Sequence, residues 1–259
     1  LLLRTAMICG CATAARGQIT LSGSLYVQDF NSLASGLPSG WSVSTGATAN
    51  SLGTTASFTS AATPWNAATA GTEFRNIASF NLAAGASTSA QHSSVDRALG
   101  WRPLTAAGRN GAVTLAIANT TGFTNFGLNF SVFTGNNVAS DQSYVVEYRV
   151  GEAGSFVQLG NPYTTGAPLS IAHYYFGAPD LSAFNDQAEP LYLRFRGVAT
   201  GGSGSLDTLG IDNVQLSFSA SAIPEPSTYA AVCGALALLV AALRRRKASE
   251  RPAEAAIRE

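Results

Sequence analysis

The central part of this chain alternates apolar and polar residues with a period of two, and this pattern constrains it to β-structure. Glycine, asparagine, serine and threonine clusters separate the alternating segments, and no sustained helical period appears between them. Many short strands at such spacing predict an all-β domain of two sheets packed as a sandwich. The clearest predicted strands are 126–132, 144–150, 191–195 and 214–218, and weaker candidates are 25–30, 54–58, 74–82, 112–118 and 156–159.

Charged residues in these strands fall opposite the apolar ones. Arg194 and Arg196 alternate with the apolar residues of 191–195, and Glu147 alternates with those of 144–150. The expected arrangement is a half-buried strand whose polar face meets water. We therefore interpret Glu147 as part of a solvated sheet face.

The region 18–223 contains seven arginines, no lysine and eleven Asp or Glu residues, a net charge of −4. A mildly acidic surface without a basic run argues against nucleic acid as a partner. The three cysteines, Cys9, Cys11 and Cys233, all lie in the hydrophobic ends of the chain. The body therefore offers no disulfide, zinc-thiolate site or cysteine nucleophile.

The C-terminal region carries an apolar run between a proline-rich tripeptide and a basic cluster. Residues 227–243 hold no charge, and 17 residues make about 25 Å of helix. This is marginal for a bilayer core of about 30 Å, and 229–243 is our predicted transmembrane helix. The basic residues predict a cytoplasmic membrane stop, with the tripeptide outside. The stop comprises Arg244, Arg245, Arg246 and Lys247, and the tripeptide is Pro224, Glu225 and Pro226.

These three parts, in this order and spacing, resemble the PEP-CTERM sorting signal of Gram-negative bacteria. The resemblance covers 223–247 and implies recognition of Pro224, Glu225 and Pro226 by an exosortase, which acts near the motif and moves the protein to the surface. Related proteins belong to organisms that make exopolysaccharide. The twelve residues after Lys247 depart from the family, whose members usually end soon after the arginines. A plain tail anchor is the alternative.

The N-terminal end predicts export as well. Residues 1–17 are interpreted as a signal peptide, because a small apolar stretch precedes Ala15-Arg16-Gly17. Ala12-Thr13-Ala14 offers a second cleavage site, and a lipobox ending at Cys11 is a minority alternative. The predicted organisation continues with the sandwich at 18–218, a linker at 219–223, the sorting signal at 224–247 and a cytoplasmic tail at 248–259.

Two short segments at the ends of the body resemble the first and last strands of secreted jelly-roll carbohydrate-binding domains. They are Tyr26-Val27-Gln28-Asp29-Phe30-Asn31 and Gly210-Ile211-Asp212-Asn213-Val214-Gln215-Leu216. The resemblance implies a structural calcium ion held by Asp29 and Asp212. Asn31 departs from the family, which often has Glu there. The alternative is that Asp212 lies at a strand bulge and accepts a backbone hydrogen bond.

Residues suited to catalysis are sparse. His92 and His173 are the histidines of the chain, and no Gly-x-Ser-x-Gly elbow occurs. Paired carboxylates of a glycan hydrolase remain open, because Glu73, Glu147, Glu152 and Glu189 exist. We nevertheless expect no enzyme.

Aromatic residues provide candidates for sugar binding. Trp65 is the first choice, because Thr63-Pro64-Trp65-Asn66 predicts a turn that exposes the ring, and Tyr174-Tyr175 is a further candidate. The favoured alternative for Trp65 is packing in the core or at its rim, as for most tryptophans in a domain of this size. Trp41 and Trp101 are expected in the core. We thus expect an exported surface or matrix protein, associated with exopolysaccharide and processed by an exosortase. A carbohydrate-binding module is the alternative, and a glycan hydrolase is the less favoured one.

Overall fold

The structure is a computed structural model that describes residues 17–67, 74–103, 108–136, 141–167, 169–198, 206–221 and 226–250. The chain divides into two compact units, and the boundary in the sequence falls between Ala220 and Ser221. The predicted signal peptide up to residue 16, the motif residues Pro224 and Glu225, and the tail from 251 onward lie outside the described residues.

Thirteen strands and two α-helices are found among the described residues. The strands are β1 (Leu25–Gln28), β2 (Trp41–Thr45), β3 (Thr54–Thr55), β4 (Phe58–Thr63), β5 (Phe74–Ala78), β6 (Arg97–Trp101), β7 (Ala112–Ile117), β8 (Phe123–Asn136), β9 (Ser143–Val150), β10 (Val157–Thr164), β11 (Ile171–Phe176), β12 (Leu191–Val198) and β13 (Thr208–Ala220). The helices are α1 (Thr88–Ser93) and α2 (Pro226–Glu250), and three short 3₁₀ turns cover Leu33–Ser35, Gly108–Asn110 and Ser182–Phe184.

The strands form two sheets, so the predicted all-β sandwich is confirmed. In the seven-stranded sheet the order is β11-β8-β13-β6-β5-β4, with β1 also paired to β13. The six-stranded sheet has the order β10-β9-β12-β7-β2-β3. The β4–β5 pair is parallel, and the other strand pairs are antiparallel. The edge strands β10 and β11 follow one another in the chain and belong to different sheets.

The core lies between the sheets and is built by the alternation read from the sequence. The four clearest predicted strands all exist, as parts of β8, β9, β12 and β13. Their alternate residues Phe126, Leu128, Phe130 and Val132, and likewise Leu191, Leu193 and Phe195, are buried in one cluster. Burying one face of each strand fixes the register, because a slip of one residue would turn every apolar side chain outward.

Other elements differ from the sequence prediction. The segment 54–58 is divided between β3 and the start of β4, and β2 and β11 were not predicted at all. In β11, Ala172, Tyr174 and Phe176 lean toward the core, whereas Ile171 and Tyr175 are exposed. Aromatic residues on both faces hide the alternation that would have identified this strand.

The prediction of a solvated face around Glu147 is wrong. Arg194 is fully buried and Glu147 is 3% exposed. The Arg194 guanidinium donates to Glu147 Oε2 (2.6 Å from Nε) and to the backbone oxygens of Thr48 and Ser51. The ring of Phe156 lies 3.3 Å from the same guanidinium, and burial lowers the pKa of Arg194 to about 10. Chain segments near residues 48–52 and 156 therefore cover the outer face of the six-stranded sheet.

The C-terminal unit is the helix α2, which includes the whole predicted run 229–243. Its apolar side chains Leu236, Leu238, Leu239 and Leu243 are exposed. No helix in the described part of the chain is long and apolar enough to cross a membrane. The transmembrane role of 229–243 stays a prediction.

Candidate functional site

A concave pocket opens where the edge strands β10 and β11 come together. Its volume is about 390 Å³, and it is lined by Tyr148, Val157, Gln158, Leu159, Gly160, Tyr175, Phe176 and Asp180. The two strands approach closely because Gly160 has no side chain and adopts φ +60°. A Cβ at this position would lie 2.8 Å from Phe176 Cε1. The pocket thus depends on a glycine at the point of contact.

Tyr175 is the exposed aromatic residue of the pocket. It is 70% exposed, and its ring lies beside two glycines. Its Cε1 is 3.5 Å from the position that a Cβ of Gly177 would take, and its Cε2 is 3.9 Å from that of Gly127. Tyr174 differs, because its ring stacks on Phe130 with centroids 5.1 Å apart. Of the two tyrosines considered from the sequence, Tyr175 is therefore the one whose ring is open to solvent.

Three polar groups accompany this aromatic wall. The amide of Gln158 donates to the backbone oxygen of Gly160 at 2.9 Å, which leaves its carbonyl oxygen free to accept. Asp180 is exposed and follows a turn in which its N–H donates to the oxygen of Gly177. Tyr148 packs edge-on against Phe184 with centroids 5.0 Å apart, so its ring is held in place. An aromatic wall with a few oriented polar groups is the usual chemistry of a small-ligand site.

Catalytic chemistry finds little support in this pocket. Asp180 is the one acidic residue among its described lining residues. Glycoside hydrolysis by the usual route needs two carboxyl groups on either side of the bond. Glu147 is held by Arg194 and Arg196, and Glu152 accepts a hydrogen bond from the Tyr192 hydroxyl at 2.6 Å.

Neither histidine belongs to the pocket lining. His173 Nδ1 lies 2.8 Å from Ser131 Oγ on the outer face of the seven-stranded sheet, and the rings of His173 and Phe80 are nearly perpendicular with centroids 6.1 Å apart. His92 lies in α1 rather than in the predicted loop.

Trp65 is not an exposed sugar platform, and the alternative that its ring is packed is confirmed. The predicted turn exists, but the residue is 2% exposed. Its indole N–H donates to the Ala78 oxygen at 2.7 Å, and the ring belongs to a small cluster with Phe133 outside the seven-stranded sheet. Trp41 and Trp101 are buried, as expected.

Asp212 and Asp29 lie at the side of the seven-stranded sheet where β13 bulges. Asp212 is fully buried, its carboxylate accepts from the Ser79 hydroxyl, and its Oδ1 accepts from the Asn213 N–H at 2.7 Å. The register of β13 on β8 shifts between Asp212 and Gln215, and Asn213 has φ +53°. The alternative that Asp212 accepts a backbone hydrogen bond at a bulge is therefore confirmed.

The charge around Asp212 bears on the predicted calcium ion. Burial, followed by repulsion from Asp96 and Asp29, raises the pKa of Asp212 to about 7. A divalent cation would relieve this cost, and oxygen donors of the kind that calcium prefers are present. However, both oxygens of Asp29 already accept from Asn31. No group of three or more His, Cys, Asp or Glu residues that could hold a metal ion is found in the described ranges. The carboxylates thus suit a cation in charge but do not form a complete ligand set.

Comparisons with known proteins give similarity of structure only. No family model matches the chain, and no curated protein matches it by sequence. The chain is similar to the C-terminal family 22 carbohydrate-binding module of Clostridium thermocellum Xyn10B (TM-score 0.40, 11% identity, 78% of this chain and 96% of that one).

It is also similar to the K1 adhesin domain of Lys-gingipain from Porphyromonas gingivalis W83 (TM-score 0.41, 11% identity, 77% and 100%). A third similar structure is the family 11 carbohydrate-binding module of Clostridium thermocellum, in complex with a β-1,3-1,4-mixed-linked tetrasaccharide (TM-score 0.37, 9% identity, 78% and 100%). These TM-scores are too low for the similarities to carry an argument about this chain.

Proposed function

We propose that the sandwich is a non-catalytic carbohydrate-binding module of the jelly-roll type, and that the pocket between β10 and β11 is its sugar site. The observation that carries the proposal is the exposed Tyr175 ring in the wall of a concave pocket. A flat ring with most of its surface exposed can stack on the apolar face of a pyranose. Little ordering is then needed on binding, which favours affinity.

The polar lining supplies the hydrogen bonds that a sugar requires. The Gln158 carbonyl oxygen and the Asp180 carboxylate accept from hydroxyl groups, and the Tyr148 and Tyr175 hydroxyls both donate and accept. Because Asp180 is the only charged residue in the described lining, a sugar acid would be repelled. A neutral sugar therefore suits this pocket.

The test is retardation of the purified full-length chain in native gels that contain xylan, mixed-linkage β-glucan or galactan. Tyr175→Ala should weaken the retardation about tenfold, which corresponds to ~1.4 kcal/mol of lost ring contact. Val95→Ala is the matched control, because Val95 is 87% exposed and does not line the pocket. Retardation of Tyr175→Ala equal to that of the parent would refute this site.

For the acidic side chains near the bulge, we propose a structural calcium ion held by Asp29 and Asp212. The proposal is supported by the negative charges of Asp96 and Asp29, which lie near the buried carboxylate of Asp212. Calcium would contribute stability rather than chemistry here. Addition of calcium at pH 7 should raise the Tm of the parent chain, and Asp212→Asn should remove that rise. A Tm that does not respond to calcium would contradict the proposal.

A second candidate function concerns the C-terminal unit, which we propose to be an exosortase sorting signal. What supports it is the sequence order of Pro224, Glu225, Pro226, the uncharged run and the basic cluster, together with a helix that exposes its leucines. The sandwich would then be displayed on the surface or in an exopolysaccharide matrix after transient anchoring by 229–243. In the native host, Glu225→Ala should be exported but not processed, as intact mass would show. Normal maturation of this variant would favour a plain tail anchor.

A further inference from the structure

Four strands place one residue each in a straight row across the outer face of the seven-stranded sheet. Val27 of β1 pairs with Gln215 of β13, Gln215 pairs with Asn129 of β8, and Asn129 pairs with Tyr175 of β11. Directly paired residues in antiparallel strands project their side chains from the same face. The row is therefore one continuous surface that crosses four strands.

This row is open to solvent and contains no charge. Val27 is 50% exposed, Tyr175 is 70% exposed, Gln215 is exposed and Asn129 is half-buried. Three steps of about 4.8 Å between neighbouring strands give the row a length of about 14 Å. Two amide side chains thus lie between an aromatic ring at one end and an aliphatic side chain at the other.

A glycine keeps this surface flat beside the ring. Gly127 lies in β8 opposite Ser217, and a Cβ there would come within 2.7 Å of Ser217 Oγ. The Tyr175 ring occupies the space above this glycine, at 3.9 Å from the same position. A side chain at 127 would clash with the Ser217 hydroxyl, whereas its Cβ would make only ordinary van der Waals contact with the Tyr175 ring.

We infer that the pocket and this row form one binding site for an extended, neutral polysaccharide chain that runs across the strands. Tyr175 is common to both, so a chain seated in the pocket continues onto Asn129 and Gln215. The inference rests on the proposed sugar-binding function and adds to it the length and charge of the ligand. Amide groups between apolar contacts suit hydroxyl-rich, uncharged chains, and the absence of cationic residues in the row gives no attraction for an acidic one.

Chain-length dependence tests the inference. Calorimetric titration would use the oligosaccharide series, from disaccharide to hexasaccharide, of the polysaccharide that retards the chain most. Affinity should rise with length, since longer ligands reach the row. Gln215→Ala should weaken hexasaccharide binding about fivefold, the contribution of one neutral hydrogen bond, and leave the disaccharide unchanged. Gln158→Ala, in the pocket, should weaken both, and Val95→Ala neither.

The outcomes separate the two proposals. A hexasaccharide bound no more tightly than the disaccharide, with Gln215→Ala unchanged and Tyr175→Ala weakened, would overturn the extended site and leave the pocket standing. Absence of binding to every polysaccharide would overturn both. Polygalacturonate should bind at least about tenfold more weakly than the best neutral chain, with little effect of added salt on the latter. Equal affinity for polygalacturonate would overturn the assignment of a neutral ligand.

Discussion

Replacing Glu147 with glutamine should cause a large loss of stability, although the residue belongs to a polar strand face. Glu147 Oε1 accepts from Arg196 Nε at 3.0 Å and Nη2 at 2.6 Å, and Oε2 accepts from Arg194 Nε at 2.6 Å. The Arg194 side chain has no exposed surface, and that of Arg196 is 15% exposed. Removing the carboxylate leaves a buried guanidinium without its countercharge.

The magnitude follows from that burial. Deleting one partner of a buried ion pair costs about 3–5 kcal/mol, whereas an exposed pair contributes about 0–1 kcal/mol. Urea unfolding followed by tryptophan fluorescence measures the difference. With a slope of about 2 kcal/mol per molar urea, a loss of about 4 kcal/mol moves the midpoint down by about 2 M.

Glu152→Gln is the matched control, because Glu152 is exposed and its amide analogue still accepts from Tyr192. We expect this control to shift stability by no more than about 0.5 kcal/mol. A Glu147→Gln variant as stable as the control would refute the argument and restore the solvated face that the sequence predicts.

Substitutions at three further positions have definite expectations. With a chelator present, the protonated Asp212 contributes its full stability to the fold below its ordinary pKa of 3.8. This contribution falls by up to about 4 kcal/mol as the pH rises to about 7, the pKa of Asp212 in the folded protein, so the Tm should decline over this range. Asp212→Asn should abolish the decline. Trp65→Ala should cost about 3–5 kcal/mol in urea unfolding, and Trp65→Phe should leave polysaccharide retardation unchanged, because the buried ring supports the fold and not the ligand. Gly160→Ala should lower stability by about 1–3 kcal/mol and weaken sugar binding, because φ +60° and the Phe176 contact both resist a Cβ. An unchanged Tm for Gly160→Ala would contradict that contact.

The parts of the fold that depend on short-range patterns could be predicted from the sequence. The strands around Phe130, Val146 and Leu193 follow from alternation, because one face of each is buried in a single core. The burial of the outer face of the six-stranded sheet could not be predicted. The Arg194 guanidinium donates to the backbone oxygen of Thr48, and the two residues are 146 positions apart in the sequence. Nothing local to either segment signals that contact.

The candidate site could be predicted only in part from the sequence, for the same reason. Tyr175 could be considered from its aromatic character, but Gln158 and Asp180 form a pocket only because two edge strands from different sheets converge. Trp65 shows that a predicted turn does not by itself expose an aromatic ring. Its turn was predicted correctly, yet the turn packs against the outer face of the sheet with Phe133, and the ring is buried.

The position of β13 has a consequence for the way this domain is made. It is the last strand among the residues that the structure describes, and it pairs with β1, β6 and β8. A nascent chain that ends before Thr208 lacks the strand that joins these three, so the seven-stranded sheet cannot assemble on it. The seven-stranded sheet can therefore be completed only after almost the whole body has been synthesised, because its last strand joins segments from both ends of the domain.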